Sequence, residues 1–108
     1  MIRFDEINET ALQNFKGGEG ALHARMIVDD RNRFMRGRLE PGSSIGLHTH
    51  EDSSEILYVL SGVGTAILDG CEETLYPGDG HYCPKGHMHT LINRGSEDLI
   101  FFAVIPNQ

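Results

Sequence analysis

Histidine carries the chemistry in this sequence. His48 and His50 stand two apart, so at the end of a β-strand both imidazoles leave the same face. Glu55 follows a short polar stretch, Glu51-Asp52-Ser53-Ser54, and opens the next strand-like run, near enough to bring its carboxylate to the same point. His89 comes much later, in a strand entered through Pro84-Lys85-Gly86. Three neutral imidazoles and one carboxylate are ligands of intermediate hardness. They suit one divalent first-row metal: Mn, Fe, Co, Ni, Cu or Zn. On an octahedral ion, four protein ligands leave two positions for water, dioxygen or a chelating substrate.

The elements that must position these groups read as strands. Leu22, Ala24, Met26 and Val28 alternate with Ala21, His23, Arg25 and Ile27, and a turn at Asp29-Asp30-Arg31-Asn32 follows. A strand over about residues 33–40 puts Met35, Gly37 and Leu39 on one face and Phe34, Arg36 and Arg38 on the other. Residues 55–60 and 64–68 are strand-like, and Asp69-Gly70 is a two-residue hairpin signal. Short strands continue at 72–76, 80–84, 87–93 and 98–105, separated by Pro-Gly-Asp, Pro-Lys-Gly and Arg-Gly-Ser turns. Strands at this spacing predict an all-β sandwich or barrel. The exception is residues 5–16, which suit a short N-terminal helix. Asp5 can cap it, Ile7, Ala11, Leu12 and Phe15 recur on one face, and Gly17-Gly18-Glu19-Gly20 stops it.

A chain of 108 residues is sized for one domain, spanning 1–108. Nine Lys and Arg against 16 Asp and Glu give a net charge of −7, which argues against nucleic acid or an anionic membrane as partner. No apolar run approaches the ~20 residues of a membrane span, and the first residues hold no apolar export core. Two cysteines, Cys71 and Cys83, are too few for a disulfide scaffold and point to the reducing cytoplasm. A hairpin centred on Pro77 and Gly78 would set them opposite each other, which leaves a bridge open.

Two stretches carry more than the sum of their residues. One reads Gly42-x5-His48-x-His50-x4-Glu55-x6-Gly62, the other Gly78-x5-Pro84-x-Gly86-x2-His89-x3-Asn93. They resemble both sequence motifs of the cupin superfamily at every fixed position, across residues 42–93. Chance yields each match on the order of once in a million starting positions. The resemblance implies a small jelly-roll β-barrel with a metal inside one mouth, held by His48, His50, Glu55 and His89. It also implies a function. Related cupins include dioxygenases, decarboxylases and isomerases, so a metal-dependent enzyme acting on a small oxygen-rich metabolite is the leading expectation. A non-catalytic metal-bearing module that binds or senses a small molecule is the alternative, and a storage or scaffold role with a vestigial site comes last. Small cupins commonly pack or exchange N-terminal segments, and residues 5–28 suit this, so a homodimer is expected.

Other residues have weaker claims. His81 and Cys83 share one face of their strand and Tyr82 takes the other. If the first pair faces inward, His81 is the candidate proton carrier; if Tyr82 does, it lends a hydroxyl. His87 sits in the turn after Gly86, and Asn93 reads as a turn or wall residue. Arg36 and Arg38 read as solvated charges on an outer face or, turned inward, as partners for a carboxylate or phosphate of a substrate, and His23 reads as a surface residue. The pocket is expected to be lined by Met35, Leu39, Leu57, Val59 and Leu91, with Gly37 leaving space and polar groups only around the metal. A bidentate oxygen ligand, such as a 2-oxo acid, a 2-hydroxy acid or an enediol, then fits the two open positions.

Overall fold

Period-two alternation resolves into ten strands in a computed structural model that describes all residues, Met1–Gln108. They are β1 (Thr10–Gln13), β2 (Ala21–Val28), β3 (Asn32–Leu39), β4 (Ser44–Thr49), β5 (Glu55–Ser61), β6 (Gly64–Leu68), β7 (Cys71–Leu75), β8 (Gly80–Cys83), β9 (Met88–Ile92) and β10 (Leu99–Pro106). Six form one sheet in the order β1-β2-β3-β10-β5-β8, and four form the other in the order β4-β9-β6-β7. Every pairing is antiparallel. The two sheets close on each other as a jelly-roll barrel. Their inward residues, among them Leu22, Leu39, Leu57, Leu91 and Phe101, make one continuous core. The Asp69-Gly70 signal is a two-residue hairpin joining β6 to β7, with both residues at positive φ as a type I′ turn requires.

The predicted helix over residues 5–16 does not form. Phe4–Glu6 and Phe15–Gly17 are single 3-10 turns, and β1 lies between them. Leu12 takes its place opposite Leu22, so pairing with β2 satisfies the backbone there and outweighs a weak helical period. The segment before β1 is strapped to the outer sheet face. Arg25 donates to the Ile7 carbonyl at 2.6 Å and Arg36 to Asp5 at 3.0 Å. Arg38 pairs with Glu9 at 2.8 Å and Asp98 at 3.3 Å. Both Arg36 and Arg38 thus face outward, the first of the two orientations open to them. The expected opposition of Cys71 and Cys83 also fails, because β7 and β8 belong to different sheets. Both cysteines are free, Cys71 exposed and Cys83 buried. Burial, with the negative charge of Glu55 next, pushes the Cys83 thiol up to about 11.

Candidate metal centre

A β-bulge decides which way the first histidine points. Ile45 is buried and pairs with Leu91, so strict alternation along β4 would turn His48 outward. The register instead shifts between Ile45 and His48, where Gly46 and Leu47 together face Thr90. The extra residue reverses the parity. Leu47 is left 60% exposed, and His48 turns inward opposite His89. Gly46 is needed at this bend. A Cβ there would lie 2.7 Å from the Gly17 carbonyl carbon and the Gly18 nitrogen, because the turn after β1 lies directly against β4. His50 follows the strand and is fixed by its backbone, which donates to the His87 carbonyl at 3.0 Å and accepts from Gly86 at 2.6 Å. Glu55 opens β5 beside Cys83 of β8.

These residues converge. The Nε2 atoms of His48 and His50 are 3.1 Å apart, those of His50 and His89 2.9 Å, and those of His89 and His48 3.2 Å. Glu55 Oε1 lies 3.1 Å from Nε2 of both His50 and His89. The four ligand atoms all fall within 4.8 Å of one another. Their Nδ1 atoms face away and are all engaged. His48 Nδ1 donates to the Gly46 carbonyl at 2.7 Å, His50 Nδ1 meets the Ser53 hydroxyl at 2.8 Å, and His89 Nδ1 meets His81 Nε2 at 2.9 Å. Gly46 can only accept, which puts the proton of His48 on Nδ1 and leaves a lone pair on Nε2. The same assignment at His89 makes His81 Nε2 the acceptor, and His81 Nδ1 then donates to Glu73. Each partner fixes a tautomer and a ring orientation.

Lone pairs aimed at one another repel unless a cation lies between them. Metal–ligand bonds of about 2.1 Å at right angles put adjacent ligand atoms about 3.0 Å apart. The five spacings above match that edge. Glu55 meets Nε2 of His50 and of His89 but makes no such contact with His48, and a six-coordinate ion held by these four residues would keep two positions for other ligands. The residues therefore fit a divalent first-row ion. Electrostatics agrees. Burial holds the His48 imidazole below its usual range and so keeps it neutral. Burial also opposes ionisation of Glu55, but the imidazoles of His50 and His89 beside it outweigh that and hold the carboxyl at about 2.

Beside the cluster lies a cavity of about 210 Å³, walled by His48, His50, Glu55 and the apolar side chains of Met35, Ile45 and Phe101. Of the expected apolar wall only Met35 lines it. Leu39, Leu57, Val59 and Leu91 belong to the core beneath. Nor does Gly37 leave space, because the Phe101 ring fills the room above it. Polar groups are not confined to the cluster either, since Arg33 and Lys16 also reach the cavity. Sequence reading passed over Arg33, although the alternation that turned Met35 inward places Arg33 on the same face. The β8 alternatives resolve in favour of His81 and Cys83, which are buried, while Tyr82 is 53% exposed on the opposite face. His81 stands behind His89 and does not line the cavity. His87 pairs with Asp69 at the exposed rim. Asn93 is a wall residue: its amide donates to the carbonyls of Leu39 and Glu97, each at 2.8 Å.

Known proteins share this architecture. The oxalate-binding protein of Thermotoga maritima is 34% identical over 97% of this chain and 92% of its own. A crystal structure of a predicted oxalate decarboxylase from Thermotoga maritima superposes with a TM-score of 0.94 at 33% identity, covering 100% of this chain and 99% of that one. The Cnp3 cupin domain of Schizosaccharomyces pombe shares the fold alone, at 10% identity and a TM-score of 0.82 over 100% of this chain and 74% of that one. Residues 35–105 match the family model of the cupin domain. With both motifs complete and their side chains gathered at one point, the chain belongs to the cupin superfamily.

Proposed function

We propose that His48, His50, Glu55 and His89 hold one divalent first-row metal ion and that a small oxygen-rich acid binds there as a bidentate ligand. The observation that carries the reading is the convergence of the four ligand atoms, with every outward ring nitrogen already engaged. A bound ion would supply Lewis-acid polarisation and a template for two oxygens. The chain supplies orientation and exclusion of water, through the apolar wall of Met35, Ile45 and Phe101. A cavity of about 210 Å³ lies below the ~300–1,000 Å³ of drug-sized sites, which supports a ligand of few atoms. Oxalate fits this size and offers two adjacent oxygens, and the Thermotoga maritima relative is an oxalate-binding protein.

Turnover of the bound acid, by a decarboxylase, dioxygenase or isomerase type of reaction, is the leading reading. Non-catalytic binding is the second, and one observation favours it: His81, the proton carrier expected from sequence, is engaged between Glu73 and His89 and does not reach the cavity. The carboxyl in the cavity wall outside the ligand set is Glu51, so the enzyme reading assigns proton transfer to Glu51. Elemental analysis of untagged protein, followed by calorimetric titration with oxalate, tests the binding reading. No heat at millimolar oxalate, with metal occupancy confirmed, refutes it. Oxalate consumption by the same preparation separates enzyme from binding protein.

The reading includes a homodimer. Ile56, Tyr58, Leu60 and Tyr82 stand exposed together on the outer face of β5 and β8, and such a face is suited to a second copy. Light scattering should give twice the 12.0 kDa chain mass, and a monomer at micromolar concentration would refute the pairing. Two unbridged cysteines fit a cytoplasmic setting. No helix is long and apolar enough to cross a membrane.

A further inference from the structure

Four arginines of this chain are half-buried: Arg25, Arg33, Arg36 and Arg38. Three are engaged by the protein itself, Arg25 by the Ile7 carbonyl, Arg36 by Asp5, and Arg38 by Glu9 and Asp98. Arg33 is not. Its Nε is buried and no acceptor meets it. Its Nη groups stay open to solvent, while the unpaired buried Nε–H carries a desolvation cost that an apolar side chain would avoid. The position explains the cost. Arg33 lies at the end of β3 that reaches the barrel mouth, on the inward face with Met35, and it lines the same cavity as His48, His50 and Glu55. Lys16 stands at the rim of that cavity. On a chain of net charge −7, these two cations offset the carboxylates of Glu51 and Glu55 that line the same cavity.

We propose that Arg33 anchors the negative charge of the ligand. Its planar guanidinium receives a carboxylate of a small dicarboxylic or 2-oxo acid through paired hydrogen bonds, while adjacent oxygens of the same molecule face the histidine cluster. Arg33 is then the residue that selects acids over neutral chelators of the same shape. This inference rests on the binding reading above and adds to it the residue that reads charge.

The test uses the metal-loaded, full-length protein and three probes on one two-carbon skeleton: oxalate, oxamate and oxamide, with two, one and no negative charges. Calorimetry is run on the native protein, Arg33→Met and Arg33→Lys. Native affinity should fall along the series. Arg33→Met should weaken oxalate binding by about tenfold to a hundredfold, the range for a lost charge-assisted hydrogen bond. Oxamide binding and metal content should stay as in the native protein, and Arg33→Lys should fall between the two. The melting temperature of Arg33→Met should equal or exceed the native value, because the change removes an orphan donor; a structural role would lower it. Native-like oxalate binding by Arg33→Met, with metal confirmed, overturns the anchor alone. Loss of metal from Arg33→Met also overturns it, by showing that the residue acts through the metal centre. A native protein that carries metal yet binds none of the probes overturns the chelation reading and the anchor together.

Discussion

Replacing Gly37 by alanine tests whether the floor of the cavity is set by one ring. A Cβ built on Gly37 lies 2.8 and 2.9 Å from Phe101 Cε2 and Cε1, and closer still to Cζ. Ordinary contact begins near 3.4 Å, so the Cε2 edge alone must retreat from 2.8 Å by at least 0.6 Å. Phe101 is fully buried in the core and borders the cavity, so the cavity is where its ring has room to go. Overpacking of this kind costs about 1–3 kcal/mol. Losing a strand glycine returns about 0.5–1 kcal/mol of backbone entropy, since φ at this position is ordinary for any residue. With a clash this deep the upper half of that range applies, so the net cost is about 1–2.5 kcal/mol, which for a chain of this length lowers the melting temperature by about 4–20 °C. Differential scanning calorimetry reads the shift, and titration with oxalate should show weaker binding as the ring enters the pocket. Phe101→Leu should partly rescue the variant, with a coupling energy of about 0.5–3 kcal/mol. A Gly37→Ala protein that melts with the native one, or effects that simply add, would refute the packing argument.

Three further outcomes follow from the same geometry. Asn93→Ala removes two buried donors to carbonyls and the acceptor of the Gly95 N–H; urea denaturation should show a loss of about 2–4 kcal/mol, with metal content unchanged. His81→Phe leaves the His89 ring without its partner and should weaken metal binding about 10–100-fold, as read by competition with a chromophoric chelator; unchanged affinity would reject an orienting role for His81. Protons compete with metal for the imidazoles, whose free pKa is about 6.5. Burial holds His48 below that value, and Glu55, at about 2, stays ionised throughout. Metal affinity should therefore hold near neutrality and fall below about pH 6, and a dissociation constant that stays flat between about pH 7.5 and 5 would remove the histidines from the ligand set.

The sequence made some features legible and hid others for physical reasons. Alternation separated the two faces of β3, and the structure buries Met35 and Leu39 and turns Arg36 and Arg38 out. Asp69-Gly70 announced its hairpin because positive φ at both positions restricts the residues that fit. The spacing of His48, His50, Glu55 and His89 marked a cluster that the fold does assemble. The reason His48 faces inward was hidden, because a bulge changes register without changing composition. The segment over residues 5–16 misled. Ile7, Ala11, Leu12 and Phe15 share a helical period, but β1 has β2 to pair with, and a partner far along the chain decides a short weak pattern. The cavity wall was misplaced for a related reason. Alternation tells which residues face inward but not how far along the barrel axis they sit, so core leucines and mouth residues look alike.

The site also accounts for why two sheets of modest size stay closed at one end. His48 and His89 belong to the four-stranded sheet, and Glu55 and His81 to the six-stranded one. Glu55 lies across from His89 at 3.1 Å and His81 accepts from His89 at 2.9 Å, so the sheets meet at the mouth through polar groups where the rest of the interior is apolar. The His89–His81 hydrogen bond ties the sheets, whereas the lone pair of His89 Nε2 and the Glu55 carboxylate oppose closure in a buried space without a cation. With one, the same atoms draw both sheets toward a single point, and binding free energy becomes folding free energy. On the proposed reading, barrel closure and metal binding would be one arrangement seen from two sides. The bulge at Gly46, the hydroxyl of Ser53 and the ring of His81 serve both, because each holds an imidazole in the orientation that a shared ion requires.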